Sequence, residues 1–208
     1  MKTILTLLAG VFGLAAAATF APSTASAAEA TTAKAILAGG CFWCMEHDFR
    51  ALPGAIKVVS GYSGGSIAKP TYDNYHDVSD AAPVPHTEVI EFTYDTSKVS
   101  YDKVLDYYFR QIDPTDGGGQ FCDRGPAYAP IIFTANDAEK AAATAKVAAI
   151  AKQLKTKIDV AVRDAKTFWP AEDYHQDYAN KNSIKYKFYR WNCGRDQRLE
   201  EVWGKATN

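Results

Sequence analysis

The feature that most constrains the fold is a short apolar segment that leads through two glycines directly into a helical pattern. Residues 35–38 have the apolar composition of a β-strand, and Gly39 and Gly40 permit a tight turn behind it. Apolar side chains then recur at helical spacing, at Phe42, Met45, Phe49 and Leu52, until Pro53 and Gly54 end the pattern. The sequence therefore predicts a strand, a glycine turn and a helix, with Cys41 at or near the helix N-terminus.

A thiol at that position is a candidate reactive group. Unpaired backbone N–H groups and the helix dipole favour negative charge at a helix start, so we expect Cys41 to ionise readily. Phe42 and Trp43 follow it and can form the wall of an apolar pocket. A thiolate beside aromatic side chains indicates a redox or nucleophilic site.

Cys41 and Cys44 also form a C-x-x-C pair, which leaves several interpretations open. Haem attachment requires His after the second cysteine, where this chain has Met45. A structural zinc site requires a second close ligand pair, and Cys122 and Cys193 stand alone. Thioredoxin-like thiol–disulfide exchange through Cys41 and Cys44 remains an alternative, as does a non-enzymatic domain with four cysteines in two static bridges.

The order of elements predicts an α+β fold, a two-layer α/β sandwich with a ferredoxin-like core. Further strands are predicted at residues 56–62, 87–94, 131–134 and 160–162, and further helices at 101–112 and from Asn136 to about Leu154. A long polar loop containing His76 to Pro85 separates the second and third strands and could affect access to a pocket. Residues 168–208 show little periodicity, and we expect an irregular C-terminal tail that wraps the body.

The first residues have the plan of a secretory signal peptide. Lys2 precedes an apolar stretch over residues 4–20, and Ala25-Ser26-Ala27 gives an A-x-A cleavage site. We expect residues 1–27 to be removed and residues 28–208 to form a single exported domain, located in the periplasm. An uncleaved membrane anchor is the alternative. No long apolar run follows residue 27, so we expect no stable membrane association after cleavage.

Charge and motifs exclude several classes of partner. The chain carries 23 Lys and Arg against 24 Asp and Glu, without a basic run, which argues against nucleic acid binding. No phosphate-binding glycine motif is present, so nucleotide binding has no support. We expect a monomer without a metal or other cofactor.

A series of motifs resembles one enzyme family, the type A peptide methionine sulfoxide reductases. The series begins with Gly40-Cys41-Phe42-Trp43 and Glu46, and continues through Gly61-Tyr62-Ser63-Gly64-Gly65, Pro70-Thr71-Tyr72, His86-Thr87-Glu88-Val89, Asp113-Pro114-Thr115-Asp116, Gly119-Gln120-Phe121-Cys122-Asp123-Arg124-Gly125, Trp169-Pro170-Ala171-Glu172-Asp173-Tyr174-His175-Gln176 and Asn192-Cys193-Gly194-Arg195. Together these motifs cover nearly all of residues 28–208 in order.

The resemblance implies a peptide-methionine (S)-S-oxide reductase and assigns roles to the matching residues. Cys41 would attack the sulfoxide sulfur, and Glu88 would donate a proton to the oxygen. Tyr72 and Tyr128 would hydrogen-bond the oxygen, with Asp123 at the same wall. A glutamate buried near aromatic side chains has a raised pKa, which would let Glu88 act as an acid near neutral pH.

The resemblance also implies how the substrate is held and how the enzyme is recycled. Phe42 and Trp43 would hold the methyl group on sulfur. The resulting sulfenic acid would condense with a second thiol, and a thioredoxin-type protein would reduce the disulfide. Cys193 matches the family's recycling cysteine, but Cys44, which stands where the family commonly has glycine, and Cys122 remain alternatives.

Overall fold

The computed structural model describes residues 31–205, so the predicted signal peptide lies outside the described residues. The strands are β1 Thr32–Ala38, β2 Ala55–Ser63, β3 Thr87–Asp95, β4 Gly119–Gln120, β5 Asp123–Arg124, β6 Ile131–Thr134, β7 Ala161–Asp164 and β8 Trp169–Pro170. The helices are α1 Phe42–Arg50, α2 Tyr101–Arg110, α3 Asp137–Leu154, α4 Tyr178–Lys181, α5 Ser183–Asn192 and α6 Arg195–Trp203, and a 3-10 turn spans Pro126–Tyr128.

Six strands form the main sheet in the order β7-β6-β1-β3-β2-β8. β1 pairs antiparallel with both β3 and β6, and β2 pairs antiparallel with β3. The order β6-β1-β3-β2, with α1 after β1 and α2 after β3, is a ferredoxin-like arrangement. The predicted α+β class is therefore confirmed, and β4 and β5 form a separate small hairpin.

The alternation of side chains along β3 decides which of them face the helices. Glu88, Ile90 and Phe92 lie two residues apart and so point to the same face of the sheet. Ile90 and Phe92 pack in the main core with Phe49 of α1 and Leu105 of α2. Glu88 continues this row toward the N-terminal end of α1. Its carboxyl group is thereby placed among apolar side chains, where it needs a hydrogen-bond partner.

Several predicted elements agree with the structure almost residue for residue. β6 spans the predicted residues, and α3 begins after Asn136, whose side chain accepts the Glu139 N–H at 2.9 Å. This side-chain cap satisfies one of the N–H groups that a helix start leaves unpaired. None of the helices within residues 31–205 combines the length and the apolar character needed to cross a membrane.

The C-terminal segment wraps the body, but the prediction that it is irregular was wrong. It contains α4, α5 and α6, and β8 adds to the edge of the sheet beside β2. Some of its contacts with the body are polar: Arg190 pairs with Asp48 of α1 at 2.8 Å, and the buried Arg195 donates to the Gln111 carbonyl oxygen at 2.6 Å. Because charged side chains are buried here, the segment lacks the apolar periodicity by which helices are recognised.

Candidate active site

Cys41 lies at the turn between β1 and α1, as the glycine pattern predicted. Gly40 has φ +82°, and a Cβ there would lie 2.6 Å from the Cβ of Gln120, so the turn requires glycine. Cys41 is the N-cap of α1, and its carbonyl oxygen accepts the N–H groups of Cys44 and Met45 at 3.1 and 3.2 Å. Its thiol therefore stands at the helix start, where it is 6% exposed.

The Glu88 carboxyl group accepts a hydrogen bond from the same helix start. Its Oε2 accepts the Phe42 N–H at 2.9 Å, and its Oε1 accepts the Tyr75 hydroxyl at 3.1 Å. The Phe42 N–H belongs to the first turn of α1 and has no partner within the helix. The carboxyl group is 2% exposed and is held directly beside the residue that follows Cys41.

A cavity of about 80 Å³ opens above these two groups. Its lining comprises Cys41, Phe42, Trp43, Tyr72, Glu88, Asp123, Tyr128 and Tyr189. Seven of the eight predicted site residues therefore converge on one small cavity, although they come from five separate stretches of sequence. The eighth, Cys193, is not part of the lining, and Tyr189 is an addition that the sequence did not predict.

The aromatic side chains of Phe42 and Trp43 are packed against neighbouring rings. The Trp43 ring stacks on Tyr178 with centroids 3.6 Å apart and an interplanar angle of 5°. Its indole N–H donates to His175 Nδ1 at 3.0 Å, and the His175 ring also packs against Phe42. His175 is thus a supporting residue, and it holds Trp43 in one orientation beside Cys41.

Cys193 forms a disulfide with Cys122, and Cys41 and Cys44 are free thiols. The non-enzymatic alternative with two static bridges is therefore wrong. Within residues 31–205, Cys122, Asp123 and Cys193 bring three potential metal-ligand atoms within 4.8 Å of one another. Because the two sulfur atoms are joined to each other, they offer no thiolates to a metal ion.

Residues 33–207 match the family model described as peptide methionine sulfoxide reductase. The chain is 44% identical over 208 residues to peptide methionine sulfoxide reductase MsrA 2 of Caulobacter vibrioides, covering 98% of this chain and 100% of that protein. It is 46% identical over 170 residues to MsrA 2 of Rhizobium meliloti, covering 82% and 83%. The chain belongs to the peptide methionine sulfoxide reductase family.

Solved structures agree with this assignment. Methionine sulfoxide reductase A of Corynebacterium diphtheriae superposes with a TM-score of 0.65 at 28% identity, over 74% of this chain and 76% of that one. Reduced Mxr1 of Saccharomyces cerevisiae gives the same TM-score and identity over 77% and 91%. The resemblance seen in the motifs is confirmed, and this chain is a methionine sulfoxide reductase.

Burial controls the charge of the acid in the reductase pocket. It raises the pKa of Glu88 to about 8, although the hydrogen bonds from the Phe42 N–H and the Tyr75 hydroxyl act to lower it. The nearby Asp123 carboxyl, whose own pKa is raised by burial, adds to the increase. Glu88 is therefore largely protonated at neutral pH and has a proton to donate.

The expectation that Cys41 ionises readily was wrong. Burial raises the pKa of the Cys41 thiol well above its usual value, and the neighbouring Cys44 and Glu88 raise it further. The pKa of Cys44 is instead lowered to about 7, first by the hydrogen bond from the Cys41 thiol and then by the positive charges of Arg195 and Arg190. The effect of the helix start is outweighed because the site excludes water.

The neighbours Asp123 and Arg124 have different partners. Arg124 pairs with Asp116, and its Nη2 donates to Asp116 Oδ1 at 3.0 Å. Asp123 accepts the hydroxyl of Tyr189, which lines the same cavity as Cys41. Asp123 thus belongs to the pocket wall, where the resemblance placed it.

Sequence reasoning missed two tyrosines, Tyr75 and Tyr189. Tyr75 is 3% exposed, and its hydroxyl contacts both Glu88 and the Tyr128 hydroxyl, the latter at 3.3 Å. The sequence signal that could have identified Tyr75 is its position three residues after Tyr72. In the structure the two residues share one turn, in which the Tyr75 N–H donates to the Thr71 carbonyl oxygen. Tyr189 lies on α5, where no periodicity was recognised.

Replacing Tyr75 with Phe is expected to move the alkaline limb of the pH profile of kcat/KM upward. The Tyr75 hydroxyl stabilises ionised Glu88, so its removal raises the pKa of Glu88 above about 8, and the acid stays protonated to higher pH. The phenylalanine ring retains the stacking on Tyr62, whose centroid is 4.8 Å away. The measurement is the rate of methionine formation across the pH range.

Two further variants make this test specific. Glu88→Gln removes the proton donor and should lower kcat by about 10²- to 10⁴-fold while abolishing the limb. Tyr94→Phe changes a buried tyrosine of the main core and should leave the profile unchanged. An alkaline limb that stays in place or moves to lower pH in Tyr75→Phe would show that this tyrosine does not act on Glu88.

Proposed function

We propose that the pocket reduces the S epimer of methionine sulfoxide, in peptides or as the free amino acid, by attack of Cys41 on sulfur and protonation of the oxygen by Glu88. The observation that carries this proposal is the buried carboxyl of Glu88, which is joined to the N-terminus of α1 beside the Cys41 thiol. A sulfoxide has an electrophilic sulfur and a basic oxygen, so its reduction needs a nucleophile at the sulfur end and an acid at the oxygen end of the S–O bond.

The first step forms a bond between the Cys41 sulfur and the substrate sulfur. As this bond forms, negative charge builds on the sulfoxide oxygen and the Glu88 proton neutralises it, while the Cys41 thiol gives up its own proton, which restores the Glu88 carboxyl group. The hydroxyl then passes to the Cys41 sulfur, which leaves methionine and a sulfenic acid on Cys41. Sulfur in the substrate is reduced by two electrons, and the Cys41 sulfur is oxidised by two.

The remaining lining of the pocket suits a methyl sulfoxide group. Tyr128 presents a hydroxyl on the same side as Glu88, to which it is linked through Tyr75, and Tyr72 lies at the half-open rim. These hydroxyl groups can donate to the sulfoxide oxygen. Phe42 and Trp43 offer the apolar surface for the methyl group, and the small cavity favours the end of a side chain over a larger substrate.

The cycle is completed by a second cysteine and an external dithiol. The family resemblance assigns recycling to Cys193, and its disulfide with Cys122 lies where a partner can reach it, because Cys122 is exposed. A thioredoxin-type protein would reduce this disulfide by thiol exchange. Mxr1 of S. cerevisiae has been solved in complex with Trx2, with a TM-score of 0.50 and 22% identity to this chain.

Replacing Cys41 with Ser is expected to abolish methionine formation, since serine is not a comparable nucleophile. The measurement is a single-turnover assay with each resolved epimer of methionine sulfoxide and a dithiol. The wild-type protein should reduce the S epimer and leave the R epimer unchanged, because separate enzymes serve the two epimers. Activity that persists in Cys41→Ser would contradict the mechanism, and equal rates with both epimers would contradict the stereochemical assignment.

We also propose that the enzyme is exported to the periplasm and acts there as a monomer. Support comes from the N-terminal pattern of Lys2, the apolar residues 4–20 and the A-x-A site, and from a pocket that one chain completes. Intact-mass measurement of the protein recovered from the periplasm of expressing cells should give a chain that begins at Ala28 and elutes as a monomer. A full-length chain in the cytoplasm would contradict the proposal.

A further inference from the structure

We propose that the outer face of α5 binds an anionic lipid surface, weakly and reversibly, and holds the enzyme at a membrane with its pocket turned away from the lipid. This outer face is formed by Ile184, Phe188 and Trp191, with Lys185 and Lys187 on its two sides. Binding of this kind needs no membrane-spanning segment. The inference goes beyond sulfoxide reduction and does not depend on the chemistry of the pocket.

The three apolar side chains of the outer face are unusually exposed. Ile184 is 85% exposed, Phe188 63% and Trp191 75%. They follow one another at spacings of four and three residues, so they lie on one side of the helix. The rings of Phe188 and Trp191 have centroids 6.0 Å apart. Exposed apolar side chains are normally scattered singly, whereas a contiguous group of them marks an interaction surface.

The outer face points away from the active site. Tyr186, Tyr189 and Cys193 form the opposite side of α5, since each stands two positions, or roughly 200°, from a residue of the outer face. Tyr186 is buried, Tyr189 lines the cavity, and Cys193 is part of the disulfide. A flat surface that covers the outer face therefore lies away from the cavity and from the disulfide that the external dithiol must reach.

The charge around the outer face favours an anionic partner. Residues 178–195 contain three Lys and two Arg but no Asp or Glu, although the whole chain has a net charge of −1. Lys185 and Lys187 are exposed, and neither forms an ion pair within residues 31–205. Asp196, which follows α5, is already paired with Arg190 at 2.6 Å. The positive charge beside the apolar side chains is therefore uncompensated.

This combination is typical of a helix that lies in a membrane interface. The apolar side chains of such a helix enter the boundary between headgroups and acyl chains, and the lysines beside them reach anionic headgroups. Lys185 follows Ile184 on one side of the outer face, and Lys187 precedes Phe188 on the other. A second copy of this chain fits less well, because two opposed outer faces would bring the lysines of both copies together.

The test measures co-sedimentation of the protein, without its predicted signal peptide, with vesicles of equal parts phosphatidylglycerol and phosphatidylcholine. We expect binding at low ionic strength, with a blue shift of tryptophan fluorescence as Trp191 leaves water. Binding should be much weaker to vesicles of phosphatidylcholine alone, and it should fall as salt is added, because salt screens the attraction between lysines and headgroups.

Two double variants and a matched control make the test specific to the outer face. Phe188→Ser with Trp191→Ser should lower the partition coefficient about 100-fold, since each buried apolar side chain contributes about tenfold. Lys185→Gln with Lys187→Gln should lower it about 10- to 30-fold and reduce its salt dependence. Val78→Ser removes an apolar side chain that is 62% exposed outside α5 and should bind like the wild type. All three variants should reduce methionine sulfoxide with a small dithiol at the wild-type rate, which shows that they are folded.

The outcomes separate a lipid surface from the other occupants of this face. Absence of binding to the anionic vesicles, or equal binding by the wild type and the Phe188 and Trp191 variant, would overturn the proposal. So would a wild-type dimer that this variant fails to form, or a raised KM of this variant for a protein dithiol together with unchanged vesicle binding. Loss of sulfoxide reduction in every protein, with vesicle binding retained, would instead contradict the proposed reductase chemistry.

Discussion

The hydrogen bond between the Glu88 carboxyl and the Phe42 N–H is the interaction on which the site depends. It satisfies a backbone donor at the start of α1, fixes the helix above β3 and sets an acid beside the Cys41 thiol. Burying a carboxyl group is unfavourable unless it is hydrogen-bonded, and here the cost is reduced because the group keeps its proton. This one contact thus links the packing of α1 on the sheet to the protonation state of Glu88 in the pocket.

Local patterns in the sequence placed Cys41, and the resemblance of the motifs placed its neighbours. The glycine turn and the helical stripe predicted Cys41 at a helix start, and the motif resemblance identified Glu88, Tyr72, Tyr128 and Asp123 as its neighbours. Strand alternation alone did not identify Glu88, because a lone glutamate in such a strand is usually exposed. Only the ordered series of motifs distinguished the buried acid from a surface residue.

Features that depend on long-range contacts could not be predicted from the sequence. The helices α5 and α6 are tied to α1 by Arg190 and Arg195, which both approach Asp48, and buried charges of this kind leave no apolar periodicity. The same two arginines lower the pKa of Cys44, so the ionisation of Cys41 and Cys44 also could not be predicted from the neighbouring sequence. The helix dipole at Cys41 follows from the local sequence, whereas the exclusion of water depends on how the whole chain folds around the site.

The mechanism requires that Glu88 is a neutral acid at physiological pH, and the state of its carboxyl group can be observed directly. The most direct measurement is a titration of the side-chain carboxyl carbons by NMR on isotopically labelled protein, with the Glu88 signal assigned by its loss in Glu88→Gln. We expect a signal that remains that of a protonated carboxyl group at pH 7 and titrates at about 8. A Glu88 signal already ionised at pH 7, with a midpoint near the ordinary value of about 4.3, would contradict it.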